Sequence, residues 1–217
     1  MTKTTFRKLF EAASDPYGFI EHAKTVTEPE HEAVHNYASG EYYEPVNDHL
    51  RRGGRLDNYK DKDVGAVAKH LARVTSNPIK KKLVTYRGAA GGPNDPDKGR
   101  PHYRPNPDHP AYNKEGHVSV HRGFTSSDFS ADTAAGYTRE RHILRIHAPP
   151  GTHAHNTEMH VGEAGVGPDK TPEYSFAHTG EVTFRHGTKF RQGKTTKRKI
   201  GGETFHVTDM HVIGHED

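Results

Sequence analysis

A change of hydrophobic period at Pro78 constrains this chain more than any other feature. Before it, apolar residues recur at the spacing of one helix face. Phe6, Leu9, Phe10 and Ala13 form one stripe, and "PEHEAVHNYAS" brings Val34, Tyr37 and Ala38 together. "YEPVNDHLRRGG" has Pro45 near its first turn, basic residues in its last and Gly53 beyond, as helix ends prefer. "DKDVGAVAKHLARV" repeats the pattern through Val64, Val67, Leu71 and Val74, with Asp63 placed to cap. After Pro78 the period shortens to two. "KLVTYRG" (82–88), "HVSVHRGF" (117–124), "RHILRIHA" (141–148), "GEVTFRHG" (180–187) and "TFHVTDMHVIG" (204–214) alternate and are rich in β-branched and aromatic residues. Helices followed by mostly antiparallel strands predict an α+β fold.

The connections carry their own signals. Residues 88–116 hold six of the fourteen prolines, so they cannot supply ladder donors and are expected to form a long, mobile loop insertion. Glycines and two prolines interrupt 162–172, and "RQGKTTKRKIGG" reads as a basic turn joining the last two strands. One domain spanning 1–217 is expected, with a helical part at 1–78 and a strand-rich part at 79–217.

Composition excludes several functions. Without cysteine there are no disulfides, no thiolate metal sites and no Cys nucleophile. Hydrophobic residues are 30% and mean hydropathy is −0.98, which leaves room for a core and predicts much exposed loop. No apolar run approaches the ~18 residues of a membrane span, and "MTKTTFRKLFEAA" lacks the apolar stretch of a signal peptide. An intracellular or injected protein is the simpler expectation, acting in a cytoplasm without membrane partners. The net charge of +3 permits acidic partners and demands none. Nineteen histidines make the charge pH-dependent between about pH 5 and 7. "HAHNTEMH" offers His153, His155, Glu158 and His160 to a metal, but nothing fixes their geometry, so a loop and no metal site are expected.

Three polar features remain. Arg87 ends the first strand beside Gly88, where a guanidinium can grip a phosphate or carboxylate and the glycine lets a ligand approach the backbone. "GFTSSDFSADTAAGY" (123–137) places Phe124 in the core and presents Thr125, Ser126, Ser127 and Asp128 before a short helix capped by Ser130 or Asp132. In "TGEVTF", Thr179, Glu181 and Thr183 share one strand face while Val182 and Phe184 share the other. Taken singly, each also reads as ordinary surface structure.

Their order is specific. Strand-Arg-Gly, then Gly-Phe-Thr-Ser-Ser before a helix, then Glu-Val-x-Phe-x-x-Gly-Thr-Lys-Phe resembles the Arg–Ser–Glu class of mono-ADP-ribosyltransferases, which includes bacterial toxins and enzymes of T-even-type phages. "HEAVHNYASGEYYEPVNDHLRRG" looks like the helical segment before that family's first strand, and "APPGTHA" like its Pro-Gly-Thr turn. The resemblance implies two sheets with an NAD cleft between them, and transfer of ADP-ribose from NAD to a macromolecule with release of nicotinamide. It implies that Glu181 is the catalytic acid, that Arg87 grips the NAD phosphates and that Gly88 bonds the nicotinamide amide. Ser126 would orient Glu181, with Ser127 beside it at the nucleotide and the 88–116 loop on the cleft rim. The chain departs from the class at two places. Asp128 stands in the last Ser-Thr-Ser slot, and Thr179 replaces the acid that arginine-modifying members place two residues before the catalytic glutamate. Glu173 or Asp169 is then a candidate acceptor-side carboxylate. The acceptor is expected in host transcription or translation machinery, with a nucleic-acid acceptor possible. An NAD glycohydrolase would use the same residues with water, and an RNA-binding or RNA-cleaving protein would use the basic run and paired histidines.

Overall fold

The computed structural model describes residues 17–19, 22, 25–54, 63–93, 106–157 and 180–216. The stripe around Phe6, residues 94–105 of the proline-rich loop, and Glu158, His160, Asp169, Glu173 and Thr179 lie outside these residues.

Helix α1 (Glu28–Ala38) starts at a capping box. The Thr27 amide and hydroxyl both donate to Glu30 Oε2, at 2.8 and 2.7 Å. The other Glu30 oxygen pairs with Arg73 Nε at 2.9 Å, tying α1 to helix α3 (Val64–Val74). Asp63 caps α3 as its sequence predicts, accepting from Ala66 N at 2.9 Å. With α2 (Tyr43–Arg51), these helices bury Val34, Tyr37, Val46 and Leu71 in one cluster, which Phe124 joins from the strand region.

The strands are β1 (Leu83–Gly88), β2 (Val118–His121), β3 (Thr125–Asp128), β4 (His142–Ala148), β5 (Ala154–Asn156), β6 (Glu181–Phe184), β7 (Thr188–Ile200) and β8 (Glu203–His215), with helix α4 (Ala131–Gly136) between β3 and β4. They hydrogen-bond in the order β2-β7-β8-β4-β1-β3-β6-β5, antiparallel except for β4 beside β8. The α+β expectation holds. By hydrogen bonding the eight strands of the described residues form one sheet, and β1 meets β3 through the single pair Tyr86–Asp128. That one pair joins a five-stranded part to a three-stranded part.

Three segments depart from the sequence reading. "TSSD" is strand β3 despite having no apolar residue, because its backbone makes four pairs with β6 and one with β1. The basic run "KTTKRK" lies inside β7, and only Gly201 and Gly202, both at positive φ, make the turn to β8. Residues 194–199 are all exposed, so neither face of this part of β7 is buried and its period-two signal is lost, while Phe205 and Val207 on the paired strand are buried. The start of "HAHNTEMH" adds the short strand β5 against β6.

On β6, Val182 and Phe184 are fully buried. Each buried side chain is worth about 1.5–3 kcal/mol, and a one-residue slip would exchange them for Glu181. The apolar pair thus sets where the carboxylate points. Thr183, on the Glu181 face, is fully buried as well, so that face meets protein rather than open solvent.

Candidate active site

Arg87 on β1, Ser126 on β3 and Glu181 on β6 converge at the β1–β3 joint. Arg87 Nη1 donates to the Ser126 carbonyl, and Arg87 Nη2 donates to Tyr43 Oη at 3.0 Å. The guanidinium holds the Tyr43 phenol below its ordinary range, and the Tyr43 charge in turn raises the arginine. Helix α2 therefore presses directly on the site.

Glu181 is partly exposed. Burial pushes its carboxyl above the ordinary carboxylate range. The Ser126 hydroxyl, Arg87 and Thr183 act in the opposite direction, while the negative charge of Asp128 adds to the rise. Its backbone is pinned, since Thr157 N and Oγ1 both donate to the Glu181 carbonyl, at 3.0 and 3.2 Å. Ser126 Oγ is buried without a partner at full hydrogen-bond geometry, yet lies near enough to the Tyr37 hydroxyl and Glu181 to favour their ionised forms.

Two predicted residues behave differently. Ser127 faces away from Glu181, as strand alternation requires, and its hydroxyl donates to the Val182 carbonyl at 3.0 Å, clamping β3 to β6. The structure does not bring it to Arg87 and Glu181. Gly88 lacks a side chain for a packing reason: a Cβ there would come within 2.9 Å of the backbone at Ala134, Tyr137 and Thr138. The close approach at Gly88 is made by the end of α4.

Other residues complete the surroundings without a strong sequence signal. Asn47 of α2 is fully buried, accepts from Phe124 N at 2.8 Å and donates to Tyr37 Oη at 3.0 Å, fixing the entry into β3. Gly123 is required beside it, since a Cβ would stand 2.5 Å from Asn47 Oδ1. His121, bonded through Nδ1 to Thr125 Oγ1 at 3.0 Å, is held neutral with a pKa of about 4, first by burial and then by Arg87. Tyr37, Tyr43 and Asn47 sat in the helical approach segment of the sequence, and only contacts across 44 and 77 residues reveal their use.

The cluster can hold one anionic group at Arg87 and can stabilise positive charge at Glu181. Among the described residues no group of three His, Asp or Glu could hold a metal ion, and no helix is long and apolar enough to cross a membrane.

Comparison with known proteins gives the family and the fold. The family model described as ADP-ribosyltransferase exoenzyme matches residues 12–213. No curated protein matches the chain. Among solved structures, Plx2a, an ADP-ribosyltransferase toxin from Paenibacillus larvae, superposes with a TM-score of 0.65 at 16% identity, over 96% of each chain. The ADP-ribosylating toxin BECa of C. perfringens, solved with NADH, gives 0.63 at 18% identity over 90% of this chain and 46% of its own, so this chain spans about half of BECa. Exoenzyme S from Pseudomonas aeruginosa, solved with human 14-3-3 protein beta and carba-NAD, gives 0.58 at 14% identity over 94% and 84%. The fold is that of these toxins, and the chain belongs to the ADP-ribosyltransferase exoenzyme family, NAD-dependent enzymes that move ADP-ribose onto a protein acceptor.

Proposed function

We propose that Arg87, Ser126 and Glu181 are the NAD-cleaving residues. The observation that carries this reading is their convergence from three strands with no ion pair between Arg87 and Glu181 among the described residues. Arg87 holds the pyrophosphate in bidentate fashion. As the bond between ribose and nicotinamide lengthens, positive charge spreads over the ribose, and ionised Glu181 stabilises it while holding the 2′-hydroxyl. Ser126 keeps Glu181 ionised and oriented. The Gly88 backbone, clamped by α4, faces the nicotinamide amide.

The whole chain acts as one domain. The acceptor is a protein of a host cell's transcription or translation machinery, modified in its cytoplasm, with delivery by a toxin-like or phage-like route. The test incubates the protein with labelled NAD and a cell lysate, with and without nuclease, and maps the label by mass spectrometry. Label on protein that survives nuclease supports this reading. Free ADP-ribose alone identifies a glycohydrolase, and label lost with nuclease identifies a nucleic-acid acceptor.

A further inference from the structure

Asp128 stands directly across the strand pair from Glu181. Cross-strand partners share a face and have Cβ atoms about 4.5–5.5 Å apart, whereas residues two apart on one strand are separated by roughly 6.6–6.8 Å. A carboxylate at position 128 is thus at least as close to Glu181 as one two residues away along an extended strand would be. Sequence offsets along β6 conceal this, because the partner comes from a strand more than fifty residues away.

The side chain is only 7% exposed. Asp128 Oδ1 accepts from Ser130 N at 2.6 Å, which secures the turn into α4. The helix has its own cap, with Ser130 Oγ accepting from Thr133 N at 3.3 Å. Asp128 Oδ2 is buried and has no hydrogen-bond partner among the described residues. Asparagine would serve the turn equally well, so the turn does not explain the charge. The guanidinium of Arg87 is already engaged by Tyr43 and the Ser126 carbonyl. Among the described residues neither Asp128 nor Glu181 closes an ion pair, so a cation is what this face lacks.

We propose that Asp128 is the second carboxylate of the reaction: its Oδ2 binds the guanidinium of an acceptor arginine beside Glu181 and takes the proton from the attacking nitrogen. This rests on the reading that Arg87 and Glu181 cleave NAD. In the step, a bond forms between the guanidinium nitrogen and C1 of the ribose. The bond from C1 to the nicotinamide nitrogen breaks, and nicotinamide leaves with that electron pair as a neutral molecule. One proton passes from the attacking nitrogen to Asp128 Oδ2 and then to solvent. The modified guanidinium keeps its single positive charge.

The test supplies NAD and agmatine, a small guanidinium acceptor, and measures ADP-ribosyl-agmatine and free ADP-ribose in the same reaction. Asp128→Asn is expected to lower transfer on the order of 10²-fold, as loss of a general base does. The ratio of transfer to hydrolysis should fall at least tenfold, with a higher KM for agmatine. A purely structural role would reduce both products together, and an unchanged ratio would overturn the proposal. Glu181→Gln separates the two levels of inference. It should abolish both products, and if it does not, the NAD-cleaving reading fails first. Should Asp128→Asn not fold, the wild-type protein decides by mass mapping, since label on arginine is expected and label on any other residue type overturns the assignment.

Discussion

Two meetings of arginine and carboxylate in the sheet are opposites. On β4 and β8, Arg145 clasps Asp209 through Nε at 2.5 Å and Nη2 at 2.9 Å, and His147 Nε2 adds a contact at 2.8 Å. Asp209 sits at a pKa of about 2, since these bonds and charges outweigh burial. At the β1–β3 joint, Arg87 reaches a tyrosine and a carbonyl, while Glu181 is pushed upward by burial and by Asp128. Both arginines have a carboxylate within electrostatic reach, but only one pair closes. A closed pair is structural; an open one keeps its charges for a ligand. Arg87 and Glu181 also combine surrounding protein with partial exposure, as groups lining a cleft do.

The largest expected effect is at the open pair. Glu181→Gln should preserve folding and NAD binding while lowering NAD cleavage on the order of 10²–10⁴-fold, since charge is lost at constant shape. Nicotinamide release measured beside a binding titration checks it.

Acid should act next, through the histidines around both regions. His121 and His142 are held at about 4 by burial first, below an ordinary 6.5. In the folded protein they bind fewer protons than in the unfolded chain between these values. Their neutral burial therefore costs nothing above pH 6.5 and weakens the fold as pH falls toward 4, by on the order of 3 kcal/mol each. Denaturant midpoints across pH 7 to 4 should fall steadily, and a flat profile would show that these rings are not buried neutral. Asp209 adds loss only below its unfolded value of 3.8.

Arg87→Ala should weaken NAD affinity about 10–100-fold, as expected when a charge-assisted bidentate contact is lost. Titration with both NAD and ADP-ribose tests the phosphate role, because neither affinity should survive intact. Asp209→Asn sharpens the contrast at the smallest scale. It should cost about 1 kcal/mol of stability by opening a partly exposed ion pair, and leave NAD cleavage unchanged. A tenfold loss of cleavage would mean that the closed pair belongs to the catalytic machinery too.

The placements legible in sequence were those that follow from a residue's own strand or from motif order. Glu181 was visible because Val182 and Phe184 declare the buried face, and Arg87 because Gly88 follows it at a strand end. Helix α3 was legible to its cap at Asp63. Strand β3 was hidden because "TSSD" offers no apolar alternation and is held by its ladder to β6 and a single pair to β1. Strand β7 was hidden by an exposed basic hairpin. The contributions of Asn47, Tyr43 and Asp128 arise from partners far along the chain, which no local period encodes.

The most direct test is a crystal structure with a non-hydrolysable NAD analogue. The expected result has the Arg87 guanidinium within hydrogen-bond distance of a pyrophosphate oxygen and a Glu181 oxygen on the 2′-hydroxyl of the ribose that carries nicotinamide. A nucleotide bound elsewhere, with Arg87 and Glu181 still turned to their present partners, would contradict the assignment of this joint as the catalytic centre.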